Sequence, residues 1–120
     1  MKTLKKQQLP SDMDLECIEL CNAMNLFPGI RTTESCWGHG NDSYMIFFEA
    51  DRIENLAPIL YHFDQCHCGC YGWRVIARTD CSMRRASFLV QGPVGKQAYK
   101  DAMTIAAKLR EYRSRMRLKK

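Results

Sequence analysis

Between Arg31 and Asn41 the chain gathers a cation, three hydroxyls, a thiol, an imidazole and two glycines in the run Arg31-Thr32-Thr33-Glu34-Ser35-Cys36-Trp37-Gly38-His39-Gly40-Asn41. Gly38 and Gly40 permit positive φ and let backbone N–H groups approach a ligand, which suits an anion nest. With Arg31 for charge pairing and Ser35 and His39 for hydrogen bonds, this run is the expected first wall of a pocket for a phosphate-bearing small molecule. Arg84, Arg85 or Lys96 is expected to supply the second wall. Lys96 follows Gly92-Pro93-Val94-Gly95, between a strand pattern and a helix pattern, where free N–H groups and the helix dipole favour phosphate. A true P-loop is excluded, because Val90 and Gln97 stand where glycine and Ser or Thr are required.

Two other chemistries use the same residue types. Cys36 and His39 could act as nucleophile and base, with Glu34 and Asp42 as the neighbouring carboxylates to orient the imidazole. Cys66-His67-Cys68-Gly69-Cys70 offers soft metal ligands, and Cys36-x-x-His39 could complete a zinc site. On an extended segment, alternation would put Cys66, Cys68 and Cys70 on one side and His67 on the other. The spacing is C-x-C-x-C rather than the C-x-x-C of zinc knuckles. The leading expectation therefore has no cofactor, with zinc at Cys66, Cys68 and Cys70 as the alternative.

These residues need a scaffold, and 120 residues with 46% hydrophobic and 26% charged content suit one domain with its own core. Disordered and collagen-like classes are excluded by that balance. No apolar run is long enough for a membrane span or a signal peptide, so no membrane partner and a cytoplasmic location are expected. The odd count of 7 cysteines (Cys17, Cys21, Cys36, Cys66, Cys68, Cys70 and Cys81) fits reduced thiols in that compartment.

The formal charge of +5 is unevenly spread. Residues 7–107 hold eight Lys/Arg against twelve Asp/Glu, a net of −4, so the excess of cations lies at the two ends. The basic C-terminus is one candidate for contact with nucleic-acid phosphates.

Three helices and four strands are expected. Ser11 with Asp14 marks the start of a helix whose face is Met13, Cys17, Leu20, Cys21 and Met24. Ile30–Ser35 and Ser43–Ala50 read as a hairpin across the glycine turn. Asp51 or Asn55 caps a short helix over about 52–64 with Pro58 in its first turn, and Cys66–Gly72 reads as a turn. Trp73–Arg78 and Ala86–Gln91 form a second hairpin, Gly92-Pro93 ends it, and the last helix carries a stripe of Ala98, Ala102, Ile105, Leu109, Tyr112 and Met116. The fold class is α+β: one antiparallel sheet of about four strands packed with three helices. Residues 1–10 read as a flexible basic N-terminus, 11–112 as the domain, and 113–120 as the basic end of the last helix. Phe47, Phe48 and Trp73 are expected to be at least half buried, while Phe88, Tyr44 or Trp37 could stack on a base if one sheet face is open.

Ile30 to Gly40 spells I-x-T-x-E-S-C-x-G-H-G, followed by the aromatic strand Tyr44–Phe48. This pattern resembles small proteins of phages and prophages. A fainter similarity links the segment to wybutosine-synthesis methyltransferases, which carry T-x-S-C-S-G-R before a strand; Trp37 and His39 replace the small residue and the arginine. The phage resemblance implies a non-enzymatic protein against host defence, in the host-cell cytoplasm, with nucleotide messengers sequestered at the interfaces of a homo-oligomer. The alternatives are an RNA- or nucleotide-modifying enzyme using Cys36 and His39, or a small zinc protein.

Overall fold

In the computed structural model, residues 14–79 and 86–118 are described. The order is helix α1 (Leu15–Met24), strands β1 (Ile30–Cys36) and β2 (Ser43–Ala50), helices α2 (Ala57–Phe63) and α3 (Gln65–Cys68), strands β3 (Arg74–Thr79) and β4 (Ala86–Val94), and helix α4 (Lys96–Leu118). The α+β class holds, with a single open antiparallel sheet in the order β1-β2-β4-β3. Each expected hairpin forms, and β2 pairs with β4 to join them.

Alternation along β2 decides which side is covered. Tyr44, Ile46 and Phe48 are fully buried while Met45 and Phe47 stay partly exposed. Phe88, Val90 and Trp73 continue the covered face, against Cys17, Leu20, Cys21 and Met24 of α1, Ile59 and Phe63 of α2, and Ala98, Ala102, Ile105, Ala106 and Leu109 of α4. The small residues of α4 let that helix lie close to the sheet. Tyr44 and Phe88 therefore belong to the core and cannot stack on a base; on the open face the aromatic ring is that of Phe47.

Several boundaries depart from the sequence reading. Gly92-Pro93 does not end β4. Partners shift from Met45↔Gln91 to Ser43↔Val94, so β4 carries one extra residue there, a bulge that tolerates proline's missing N–H. Gly92 is required for a second reason: a Cβ there would lie 2.7 Å from two ring atoms of Trp73. A matching irregularity in β1 lies at Thr33, whose hydroxyl donates to the Phe47 carbonyl at 3.2 Å.

The helix expected over 52–64 is instead a 3-10 turn, Ile53–Leu56, followed by α2 with Pro58 in its first turn. Cys66 lies in the helical turn α3, because the Asp64 carboxylate accepts the Cys66 N–H at 2.8 Å and Gly69 closes the turn at φ 76°. α1 starts at Leu15; Ser11 and Met13 lie outside the described residues.

The cations of α4 serve the fold. Arg110 pairs with Glu19 of α1 at 2.9 Å. Arg113 donates to the Leu26 carbonyl just beyond the end of α1, and Lys108 donates to the Cys68 carbonyl that ends α3. Cations at helix C-termini are where the backbone partial charge is negative.

His62 is buried under α4, with its Nδ1–H donating to the Pro58 carbonyl at 2.6 Å and its ring edge against Tyr112. Burial holds its pKa below the ordinary 6.5; the Pro58 bond opposes this, and His67, Arg115 and Lys108 reinforce it. The unfolded chain then binds this proton more readily, so the contribution of His62 is whole above pH 6.5 and is lost as pH falls through and below it. Thermal melts from pH ~8 to ~5 should show a decline that His62→Gln makes shallower; equal slopes would contradict this. Independently, Gly92→Ala should cost about 1–3 kcal/mol in denaturant unfolding by forcing Trp73 aside, and an unchanged midpoint would refute that packing.

Candidate functional site

β1 ends against the start of α1. Trp37 is in the right-handed helical region at φ −83°, ψ −1°, and Gly38 follows at φ +86°. A Cβ on Gly38 would stand 2.9 Å from the Ser43 carbonyl oxygen, so both its dihedral and its surroundings demand glycine. Asn41 and Asp42 each donate their N–H to the Gly38 carbonyl at 3.0 Å, closing the loop. His39 sits at φ 53°, ψ 28°, and among the described residues it alone has positive φ without being glycine. Such backbone costs about 1 kcal/mol or more and tends to mark functional loops.

Just before the two glycines expected to form an anion nest, the protein's own carboxylate takes a backbone N–H. Trp37 N–H donates to Asp14 Oδ2 at 3.0 Å, and His39 Nε2 stands 3.8 Å from the same oxygen. Asp14 precedes α1 without capping it through its side chain, because that side chain reaches across to the loop. One ligand atom each from Asp14, Cys36 and His39 lies within 4.8 Å of the others. Among the described residues this is the one group of three His, Cys, Asp or Glu so placed. Trp37 presents its ring edge-on to His39, with centroids 5.8 Å apart. His39 is 64% exposed and Asp14 20%, so the cluster opens to solvent on the imidazole side.

Sequence proximity had pointed to Glu34 or Asp42 as partner of His39; the carboxylate is Asp14, which belongs to another element. Its only signal in the chain was a carboxylate at the helix start, where dipole and capping already account for it. Behind the cluster, burial pushes the Cys17 thiol up to about 11, hydrogen bonds to Tyr44 and Ser35 act against this, and the nearby Asp14 and Cys36 add to it. Burial also pushes Cys21 up to about 12, with Cys17 adding and hydrogen bonds to Ser35 and Thr32 opposing. Both stay protonated thiols and core residues.

The expected phosphate-site residues fall in different places. Gly38, His39 and Gly40 form the loop, and Ser35 stands beside the thiols of Cys17 and Cys21, whose pKa values it helps to lower. Lys96 is exposed at the start of α4, on the same sheet end as the loop because Ser43 pairs with Val94. Arg31 is at the other end of β1, roughly 16 Å of strand away, paired with Glu49 and, at 3.8 Å, with Asp51. Arg84 and Arg85 lie outside the described residues.

Nor do the three cysteines after α2 gather round one point. Cys66 is exposed, whereas Cys68 and Cys70 are buried free thiols joined by hydrogen bonds, with Cys70 N–H donating to Cys68 Sγ at 3.3 Å. Helical geometry across Gln65–Cys68 removes the alternation that an extended segment would have given. Burial pushes the Cys70 thiol up to about 12, with Asp101 next in effect. Asp101 is itself buried and satisfied, accepting Trp73 Nε1–H at 3.0 Å and Gln97 Nε2–H at 2.8 Å.

The Asp14 contact should be measurable. Asp14→Ala is expected to speed amide exchange at Trp37 and to cost about 1.5 kcal/mol, the range for a hydrogen bond to a charged group. Unchanged protection at Trp37 would show that the carboxylate does not hold the loop. Comparison of the chain with family models, with curated proteins and with solved structures finds no match.

Proposed function

We propose that the chain is a metal-binding protein whose site is Asp14, Cys36 and His39, and that zinc is the ion its donors suit. The observation that carries this reading is the convergence of a carboxylate oxygen, a thiol sulfur and an imidazole nitrogen within 4.8 Å. Tetrahedral zinc with bonds of ~2.0–2.3 Å spaces its ligands by roughly 3.3–3.8 Å, so small side-chain rotations would close the set. Three protein ligands leave a fourth position for water or a small ligand. Trp37 N–H on the Asp14 carboxylate would serve as the outer hydrogen bond that orients a ligating oxygen.

The phosphate-bearing ligand suggested by the loop's sequence is less well supported. It would lie beside the Asp14 carboxylate, which sits on the adjoining Trp37 N–H and repels phosphate, and Arg31 is engaged at the far end of β1. A donor set of this composition favours a cation. The second reading is a thiol nucleophile, favoured by the same proximity of Cys36, His39 and Asp14.

Protein purified without chelators should carry zinc, or take up cobalt with thiolate charge-transfer absorption, at one ion per chain and with release of protons. Cys36→Ser, His39→Ala and Asp14→Asn should each weaken binding by more than ~100-fold, beyond the usual loss for an outer hydrogen bond, while Cys66→Ser should leave it unchanged. No uptake, or uptake that depends on Cys66 and not on Cys36, overturns the proposal. Rapid alkylation of Cys36 that saturating zinc fails to slow favours the nucleophile instead.

A further inference from the structure

The helices cover one face of the sheet; the other face has an apolar stripe with charged flanks. Met45 and Phe47 of β2, Leu89 of β4 and Ile76 of β3 form the stripe, all partly exposed. On the β3 flank stand Arg74 and Arg78, the latter with its guanidinium 4.8 Å from the centroid of the Phe47 ring. Toward β1 stand Glu34, opposite Phe47, and Glu49, which pairs with Arg31. One half of the face is thus net negative and the other positive, with the apolar strip between them.

We propose that this face seats a second copy of the chain, sheet on sheet, about a two-fold axis parallel to the strands between β2 and β4. That axis lays β1 of one copy over β3 of the other. Glu34 then falls between Arg74 and Arg78 of its mate, and Phe47 meets Leu89. The same axis brings Arg31, held by Glu49 and Asp51, toward Arg78 of the mate. An axis across the strands would instead lay Arg74 on Arg78 and Glu34 on Glu34 with no opposite charges facing, so charge favours the first arrangement. Stacked sheets of this kind bury an inner layer about 10 Å thick. A nucleic acid on the same face would meet Glu34 beside the stripe, which repels phosphates and complements the arginines of a second copy.

Sedimentation velocity on the nuclease-treated full chain should report a dimer. Arg74→Glu with Arg78→Glu, both at exposed positions, should weaken association at least tenfold, and adding Glu34→Arg should restore much of it by inverting the pattern. Circular dichroism on each variant confirms that the fold persists. A monomer at ~100 μM (binding weaker than about 5.5 kcal/mol) overturns the proposal, as does a dimer indifferent to the arginine changes. Equally fatal is a wild-type chain that stays monomeric and binds single-stranded oligonucleotides through Arg74 and Arg78.

Discussion

A run of contacts through Tyr44, Trp73 and Asp101 ties together the main layers of the molecule. Tyr44, at the start of β2, is wholly buried and donates its hydroxyl to the Glu16 carbonyl in the first turn of α1 at 2.7 Å. Its ring meets Trp73 edge-on at 5.2 Å, and the indole N–H ends on Asp101 of α4. Trp73 in turn fills the space left by the missing side chain of Gly92 in β4. Two large amphipathic rings thus bury their apolar area while each polar tip finds a partner. Displacing either would leave a buried donor or acceptor unpaired, a cost of about 1–3 kcal/mol.

The candidate site is a consequence of that arrangement. Fixing α1 over Tyr44 sets Asp14 beside the end of β1, and Ser43, the neighbour of Tyr44, packs its backbone on Gly38. The loop therefore closes on the carboxylate, and the carboxylate determines what the loop can hold. Glycine-rich turns attract anions through exposed N–H groups, and next to this one the Trp37 N–H is held by the Asp14 carboxylate. A carboxylate beside a thiol and an imidazole is the donor set on which the proposed metal reading rests.

Much of the fold was legible in the chain. Period-two alternation in Tyr44–Phe48 and the four-residue steps from Ala98 to Leu109 each name a face without tertiary information, and both faces are buried as the pattern implies. Local rules failed where distant residues decide. Gly92-Pro93 looks like a stop until the Trp73 ring explains the glycine and the bulge accommodates the proline. The cysteines of Gln65–Cys70 looked like an alternating ligand set because nothing in their spacing reveals that Asp64 starts a helical turn there. Of the site, Cys36 and His39 were visible as types in a loop. Asp14 was not, because its role depends on a contact spanning 23 positions in the sequence.

Charge makes the same point on a larger scale. A formal +5 would ordinarily suggest a surface for polyanions, yet the described cations of α4 are largely committed within the molecule. Arg110 clamps Glu19, Arg115 pairs with Glu111 one turn earlier at 3.1 Å, and Lys108 and Arg113 satisfy carbonyls at or just past the ends of α3 and α1. Such pairs are individually weak when exposed, about 0–1 kcal/mol, but those made to helix ends also oppose the backbone dipoles. What looks like a basic tail is, along residues 108–115, the means by which the longest helix holds the shorter ones against the sheet. On the open face, by contrast, Glu34 stands on one side of the apolar strip and Arg74 and Arg78 on the other, and opposite charges on the two flanks of one face are the arrangement that a second copy can meet.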